Sequence, residues 1–299
     1  MNLSMIRYIA GWILSFEAAF LSLPCLIALL YREKEGIAFV AVLLVCLAIG
    51  LLLVWKKPKN TVFFAKEGFV SAALCWIIMS IFGALPFVLC GDIPSFTDAL
   101  FETISGFTTT GASILKDVES LSRCSMFWRC FTHWIGGMGV IVFLMTVLPL
   151  TGGSWIHLLR AESPGPSVGK LVPRMRHTAG ILYLIYLCMT IIEIVLLLFG
   201  GMNWFDAVTI SFGTAGTGGF SILNSGFVTY SSYVKIVVAV FMMLFGVNFN
   251  VYFLMLNRKF VQALRCEELR YYLMIIGIST LIITLNILSI CGSFGKALE

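Results

Sequence analysis

The sequence predicts an all-α integral membrane protein of about seven transmembrane helices plus two re-entrant half-helix pore loops. Three observations carry this. Of 299 residues, 60% are hydrophobic and only 12% charged, about half the charge of an average soluble protein. The charges collect in short clusters between apolar runs of membrane length. Two moderately apolar stretches between such runs repeat each other at a fixed offset. A mean hydropathy of +0.99 excludes a soluble globular domain. The net charge of +5 is too small to imply nucleic acid. The nine cysteines form no CxxC pair and read as buried thiols rather than as a metal site or a disulfide framework.

A hydrocarbon core of about 30 Å needs about 20 apolar residues per helix. On that ruler spans lie near 5–31, 37–55, 68–90, 124–150, 178–200, 234–257 and 271–292. The first exceeds a usual signal-peptide core and lacks a small-residue cleavage site before Arg32, so it reads as an anchor. With the N-terminus inside, 13 of the 20 Lys and Arg fall on the inner side, among them Lys56, Lys57, Lys59, Arg160, Arg258 and Lys259. The positive-inside rule therefore puts the N-terminus in the cytoplasm.

The repeat is Ser95–Ile114 (SFTDALFETISGFTTTGASI) against Asn203–Ile222 (NWFDAVTISFGTAGTGGFSI), ungapped at an offset of 108 with six identities in twenty. Each copy opens on an N-cap residue with an acid three positions on, Ser95 with Asp98 and Asn203 with Asp206. About 11 helical residues then run roughly 16 Å, half the hydrocarbon core, so the chain must enter and return. The negative end of each helix dipole points inward, where it favours a cation. Irregular backbone at membrane depth is tolerated where it lines a water-filled path or is buried in protein. Thr108, Thr109, Thr110 and Gly111, and correspondingly Gly216, Thr217, Gly218 and Gly219, suit such a return. Glycine lets successive carbonyls turn to one axis, and rings of carbonyls replace the hydration shell of a potassium-sized ion. A lone TTTG or TGG is an ordinary polar turn; two copies at one offset, each behind a capped half-helix and between two spans, are not.

These segments carry a resemblance. FETISGFTTTGAS at Phe101–Ser113, WRCFTHWIGGMGVIV at Trp128–Val142, TGGFS at Thr217–Ser221, NFNVYFLML at Asn248–Leu256 and EELRYYL at Glu267–Leu273 are similar to the TrkH/KtrB family of potassium transport proteins, more so its TrkH branch, along essentially the whole chain. The resemblance implies a monovalent-cation pathway, chiefly for potassium, built from four pseudo-symmetric helix, pore loop, helix units. Gly111 and Gly219 then fall on the filter glycines, with Gly218 the alternative to Gly219. It also implies no cofactor beyond potassium as substrate, a bacterial plasma (inner) membrane location, a homodimer, and a cytosolic nucleotide-binding regulatory ring of the TrkA/KtrA type docking on the basic inside loops.

The chain then divides into two leading helices (1–60), a first unit (61–150), a cytoplasmic connecting loop (151–177), a second unit (178–260) and the first helix of an incomplete third unit (261–299). Units three and four have no counterpart, so the expectation is half a filter. Either a second copy or a second-half chain completes it, or the product is a non-conducting fragment that regulates intact relatives. A secondary transporter calls for paired acids beside the loops and an enzyme for a polar cluster on facing helices; the sequence has neither.

Several single residues stand out. Arg129 within the fourth span either pairs with Glu102 and buttresses the filter or snorkels to headgroups. Glu102 is not required as a direct ion ligand, because a carbonyl filter needs no carboxylate in contact. Glu17 and Glu193, inside spans, read as hydrogen-bonded structural groups in preference to proton-coupling sites. Gly136, Gly137 and Gly139 read as close-packing positions. His133, His157 and His177 lack partners at zinc-ligand spacing.

Overall fold

A computed structural model describes residues 2–58, 65–139 and 175–291 of the chain. In order, the helices are α1 (Leu3–Tyr31), α2 (Gly36–Val54), α3 (Ala65–Cys90), α4 (Phe96–Phe107), α5 (Arg123–Met138), α6 (Met175–Phe199), α7 (Trp204–Ala215), α8 (Ser232–Phe245), α9 (Phe249–Leu256), α10 (Phe260–Leu264) and α11 (Glu267–Cys291). Among the described residues there is no strand. Five helices, α1, α2, α3, α6 and α11, are long and apolar enough to cross a membrane, and they match five of the expected spans. The span expected at 124–150 begins as α5; residues 140–174, including most of the 151–177 connection, lie outside the described residues.

The span expected at 234–257 is not one helix. It is α8 and α9, bent by 86°. The break has a local cause. Gly246 closes α8, and Asn248 starts α9 by accepting a hydrogen bond from Asn250 N at 2.9 Å. Two tyrosine hydroxyls then donate to carbonyls of the last turn of α8, Tyr252 to Leu244 O at 2.6 Å and Tyr272 to Met243 O at 2.9 Å. Carbonyls that a continuing helix would have bonded thus find side-chain partners. Hydropathy alone reads through such a break, because Gly246, Asn248 and Asn250 are averaged with the apolar residues on either side.

α1 and α2 form an antiparallel hairpin, closed where Arg32 takes a left-handed conformation (φ 58°) and Glu33 N donates back to Ala28 O at 2.9 Å. The hairpin also clasps the rest of the fold. The Glu33 carboxylate accepts from Arg123 N at 2.8 Å and Cys124 N at 2.9 Å, capping the positive end of α5. The Arg123 guanidinium lies over the rings of Tyr31 and Phe205 at 4.7 and 5.2 Å, and Tyr31 stacks on Trp204. Replacing Glu33 by alanine is therefore expected to cost about 1–2 kcal/mol, read as a lower midpoint in a thermal melt of the detergent-solubilised protein. An unchanged midpoint would remove this cap from the account.

α5 is the wedge at the centre. Eleven of its sixteen residues are buried, which is how a helix covered on all sides reads. Phe127 and Phe131 meet Phe212 of α7 at 5.6 and 5.2 Å between centroids, while Trp128 meets Phe107 of α4 edge-on at 6.2 Å and donates to Gly83 O of α3 at 2.9 Å. One helix thus fixes the separation of both half-helices.

Candidate ion-conduction site

The two half-helices begin as their sequences dictate. Ser95 Oγ accepts from Asp98 N at 3.4 Å and Asn203 Oδ1 from Asp206 N at 2.9 Å. Each runs 12 residues, about 18 Å, and each ends in the same irregular backbone. Thr108 N returns to Ile104 O and Gly216 N to Phe212 O; Thr109 N returns to Gly106 O and Thr217 N to Thr214 O. All four are the same bonds at the 108-residue offset.

The backbone angles match as well. Thr109 (φ 55°) and Thr217 (φ 56°) are left-handed, and so are Gly111 (φ 77°) and Gly219 (φ 72°). A β-branched residue at positive φ is costly and rare. Finding it twice, at equivalent positions two residues before a left-handed glycine, marks a conformation that the surrounding structure imposes.

The loops also touch each other. A methyl group at Gly111 would run into the carbonyl oxygen of Gly218, and one at Gly218 would lie 2.9 Å from Thr109 O. Thr108, Thr110 and Thr217 are exposed, whereas Gly216 is buried and a methyl there would lie 2.7 Å from the His133 carbonyl oxygen. Of the eight loop residues singled out by sequence, seven thus lie at the accessible junction and Gly216 lies behind it.

Behind the loops, Glu102 and Arg129 meet. Arg129 Nε donates to Glu102 Oε1 at 2.6 Å, with 2% and 0% of their side chains exposed. The pair grips both loops. Glu102 also accepts from Ser113 Oγ at 2.8 Å and Ile114 N at 3.1 Å, just past Gly111. Arg129 Nη1 donates to Ser221 O at 2.9 Å, just past Gly219, and its guanidinium covers the Phe220 ring at 3.7 Å. The choice left open by the sequence between pairing and snorkelling therefore falls to pairing.

Other contacts were not legible in the sequence. Asn224, past the second loop, accepts from Val118 N and donates to Asp117 Oδ1, and its own N–H donates to Glu119 Oε1, at 2.7 to 2.8 Å. Phe220 lies against both Arg129 and His133, the latter at 4.0 Å between rings. The signal for Phe220 lay in the repeat, where it replaces Ala112, but nothing in one chain says that an aromatic there faces a cation. Gly136 and Gly137 do act as packing positions. A methyl at Gly136 would strike Phe107 O, and one at Gly137 would lie 2.6 Å from the Tyr186 hydroxyl.

The expectation for Glu17 and Glu193 needs correcting. Both are fully buried, and neither carboxyl group has a hydrogen-bond partner among the described residues. Glu193 lies beside Thr214, whose hydroxyl proton goes to Ile210 O at 2.9 Å. Burial inside a helix bundle supplies enclosure but no guarantee of a donor in reach.

The TrkH family model, described as a cation transport protein, matches residues 35–291. The chain belongs to the TrkH family. Proteins of the TrkH family are transporters, not enzymes. Among its relatives, the Trk system potassium uptake protein TrkH of Escherichia coli K12 is 36% identical over 280 residues, covering 91% of this chain and 58% of the relative. The Trk system potassium uptake protein TrkG of the same organism is 33% identical over 292 residues, covering 95% and 60%. The crystal structure of the potassium transporter TrkH from Vibrio parahaemolyticus superposes on all of this chain and on 62% of its own, with a TM-score of 0.81 at 29% identity. This TrkH-family chain thus spans about 58% of the length of the curated relatives it matches.

Proposed function

We propose that this chain supplies two of the four pore loops of a potassium uptake pathway, as a membrane subunit of a Trk/Ktr-type system in the bacterial inner membrane, with its N-terminus in the cytoplasm. The observation that carries the reading is the pair of touching loops with one backbone signature, left-handed Thr then left-handed Gly, 108 residues apart. Thr108 to Gly111 and Thr217 to Gly219 present carbonyls and hydroxyls that substitute for water around a potassium ion. The C-terminal ends of α4 and α7 lend negative partial charge to the same place. Potassium is the substrate, and it moves inward down its electrochemical gradient, each charge gaining about 2.3 kcal/mol per 100 mV.

On this reading residues 61–150 and 178–260 are successive units, 1–60 their leading hairpin, 151–177 a cytoplasmic connection and 261–299 the start of a third unit. Two further loops complete the four-loop ring, and a nucleotide-binding ring docks on the basic inner loops. The second reading is that these two loops do not conduct unaided.

The test is growth at limiting potassium in cells lacking their own uptake systems. The chain is expressed by itself and together with the remaining portion of a relative, each beside Gly111→Asp. Rescue by the chain with its second half, lost in the variant, is the expected result. Rescue by the chain unaided assigns the ring to copies of itself. Absence of rescue in both arms, with the protein present in the membrane, overturns the pathway.

A further inference from the structure

We propose that the α9–α10 elbow is a binding surface for anionic phospholipid headgroups. It rests on the orientation proposed above only for the leaflet, which is the inner one.

α8 has 14 residues, about 21 Å of rise. With Ser231 at the outer boundary of an approximately 30 Å core, its end lies roughly 9 Å short of the inner boundary. There the chain turns by 86°, so that α9 runs across the bilayer rather than through it. Helices lying in an interface are buried about 5–10 Å at the headgroup boundary, which is the depth reached here.

The elbow has two chemically different sides. Val247, Val251, Ala263 and Leu269 close a small core against Tyr252 and Tyr272. On the other side Leu256, Phe260, Val261 and Leu264 are each more than half exposed. Between these apolar side chains stand Arg258, Lys259 and Arg265, all exposed. None of the three has a side-chain hydrogen bond or ion pair among the described residues. No acid lies between 257 and 266; Glu267 and Glu268 follow at the start of α11, where Glu268 accepts from Asn248 Nδ2 at 2.8 Å.

Unpaired basic side chains beside large exposed apolar ones, on a helix turned into the membrane plane, fit a phosphate headgroup and its acyl chains together. An acidic soluble protein would meet the charges but would not account for the apolar side chains or the depth.

The experiment titrates the full chain, purified in neutral detergent, with phosphatidylglycerol and with phosphatidylcholine, counting retained lipids by native mass spectrometry. Phosphatidylglycerol should bind preferentially. At about fivefold per charge near an anionic surface, the triple variant Arg258→Gln, Lys259→Gln, Arg265→Gln should bind it on the order of 100-fold more weakly. Lys34→Gln with Lys116→Gln, outside the elbow, should change nothing. Equal binding of the two lipids, or an unaffected triple variant, overturns the proposal. So does displacement by glycerophosphate or by polyglutamate at matched charge, which would assign the surface to a soluble anion or to an acidic protein. Sidedness is read separately, by labelling Gln262→Cys and Glu119→Cys in intact cells with an impermeant thiol reagent, against the parent chain. Labelling of Gln262→Cys from outside would overturn the orientation and leave the lipid site standing.

Discussion

Alanine at Gly111 is expected to reduce potassium uptake at least about tenfold in whichever assembly restores growth, and alanine at Gly219 to reduce it distinctly less. Both glycines are left-handed, at φ 77° and 72°, so both substitutions carry a conformational cost of about 1–2 kcal/mol. The surroundings then separate them. A methyl at Gly111 collides with the Gly218 carbonyl of the neighbouring loop, whereas one at Gly219 meets nothing nearer than the Met242 side-chain terminus at 3.5 Å. Overpacking adds about 1–3 kcal/mol at Gly111 alone, and the displaced carbonyl belongs to the proposed ion path. Rubidium flux into proteoliposomes, normalised to inserted protein, measures the difference. Equal loss at the two positions would mean that backbone conformation, not contact between the loops, sets the geometry.

Breaking the Glu102–Arg129 pair should have the largest effect on stability. Arg129→Met leaves a fully buried carboxylate without its cation and releases Ser221 O and the Phe220 ring together. Removing one partner of a buried pair costs about 3–5 kcal/mol. Glu102→Gln keeps one acceptor oxygen, so it can serve Ser113 or Ile114 but does not replace both carboxylate oxygens at once, and it loses the charge. The double variant Glu102→Gln, Arg129→Met should be less damaged than the sum of the singles, because no uncompensated charge remains. Thermal midpoints of all four proteins form the cycle, and strict additivity would show that the two residues act independently. Potassium preference over sodium should fall in Arg129→Met, since the residue holds the exit of the second loop.

Much of this was legible because the bilayer simplifies the problem. Lipid cannot hydrogen-bond the backbone, so an apolar run of sufficient length has one folded form available to it. Five of the expected spans were recovered as long helices on that basis alone. The half-helices were legible for a second reason. Ser95 with Asp98 and Asn203 with Asp206 are local start signals that need nothing from the rest of the chain, and both caps formed. The break in the sixth expected span was not legible because hydropathy averages over Gly246 and Asn248, the two residues that stop one helix and start the next.

The sequence by itself thus determined the membrane class, the helix starts and the register of the two loops, all of which depend on short-range chemistry and on the solvent. Only the tertiary structure decided what the polar residues do. It brought Arg129 between Glu102 and Ser221, 27 and 92 residues away, set Gly111 against Gly218, buried Gly216 behind the junction and left Glu17 and Glu193 without donors. The physical reason is range. Helix formation and capping are settled within a turn or two of chain, whereas the partner of a buried polar group is whatever a distant segment places within about 3 Å, and spacing along one sequence carries no record of that distance.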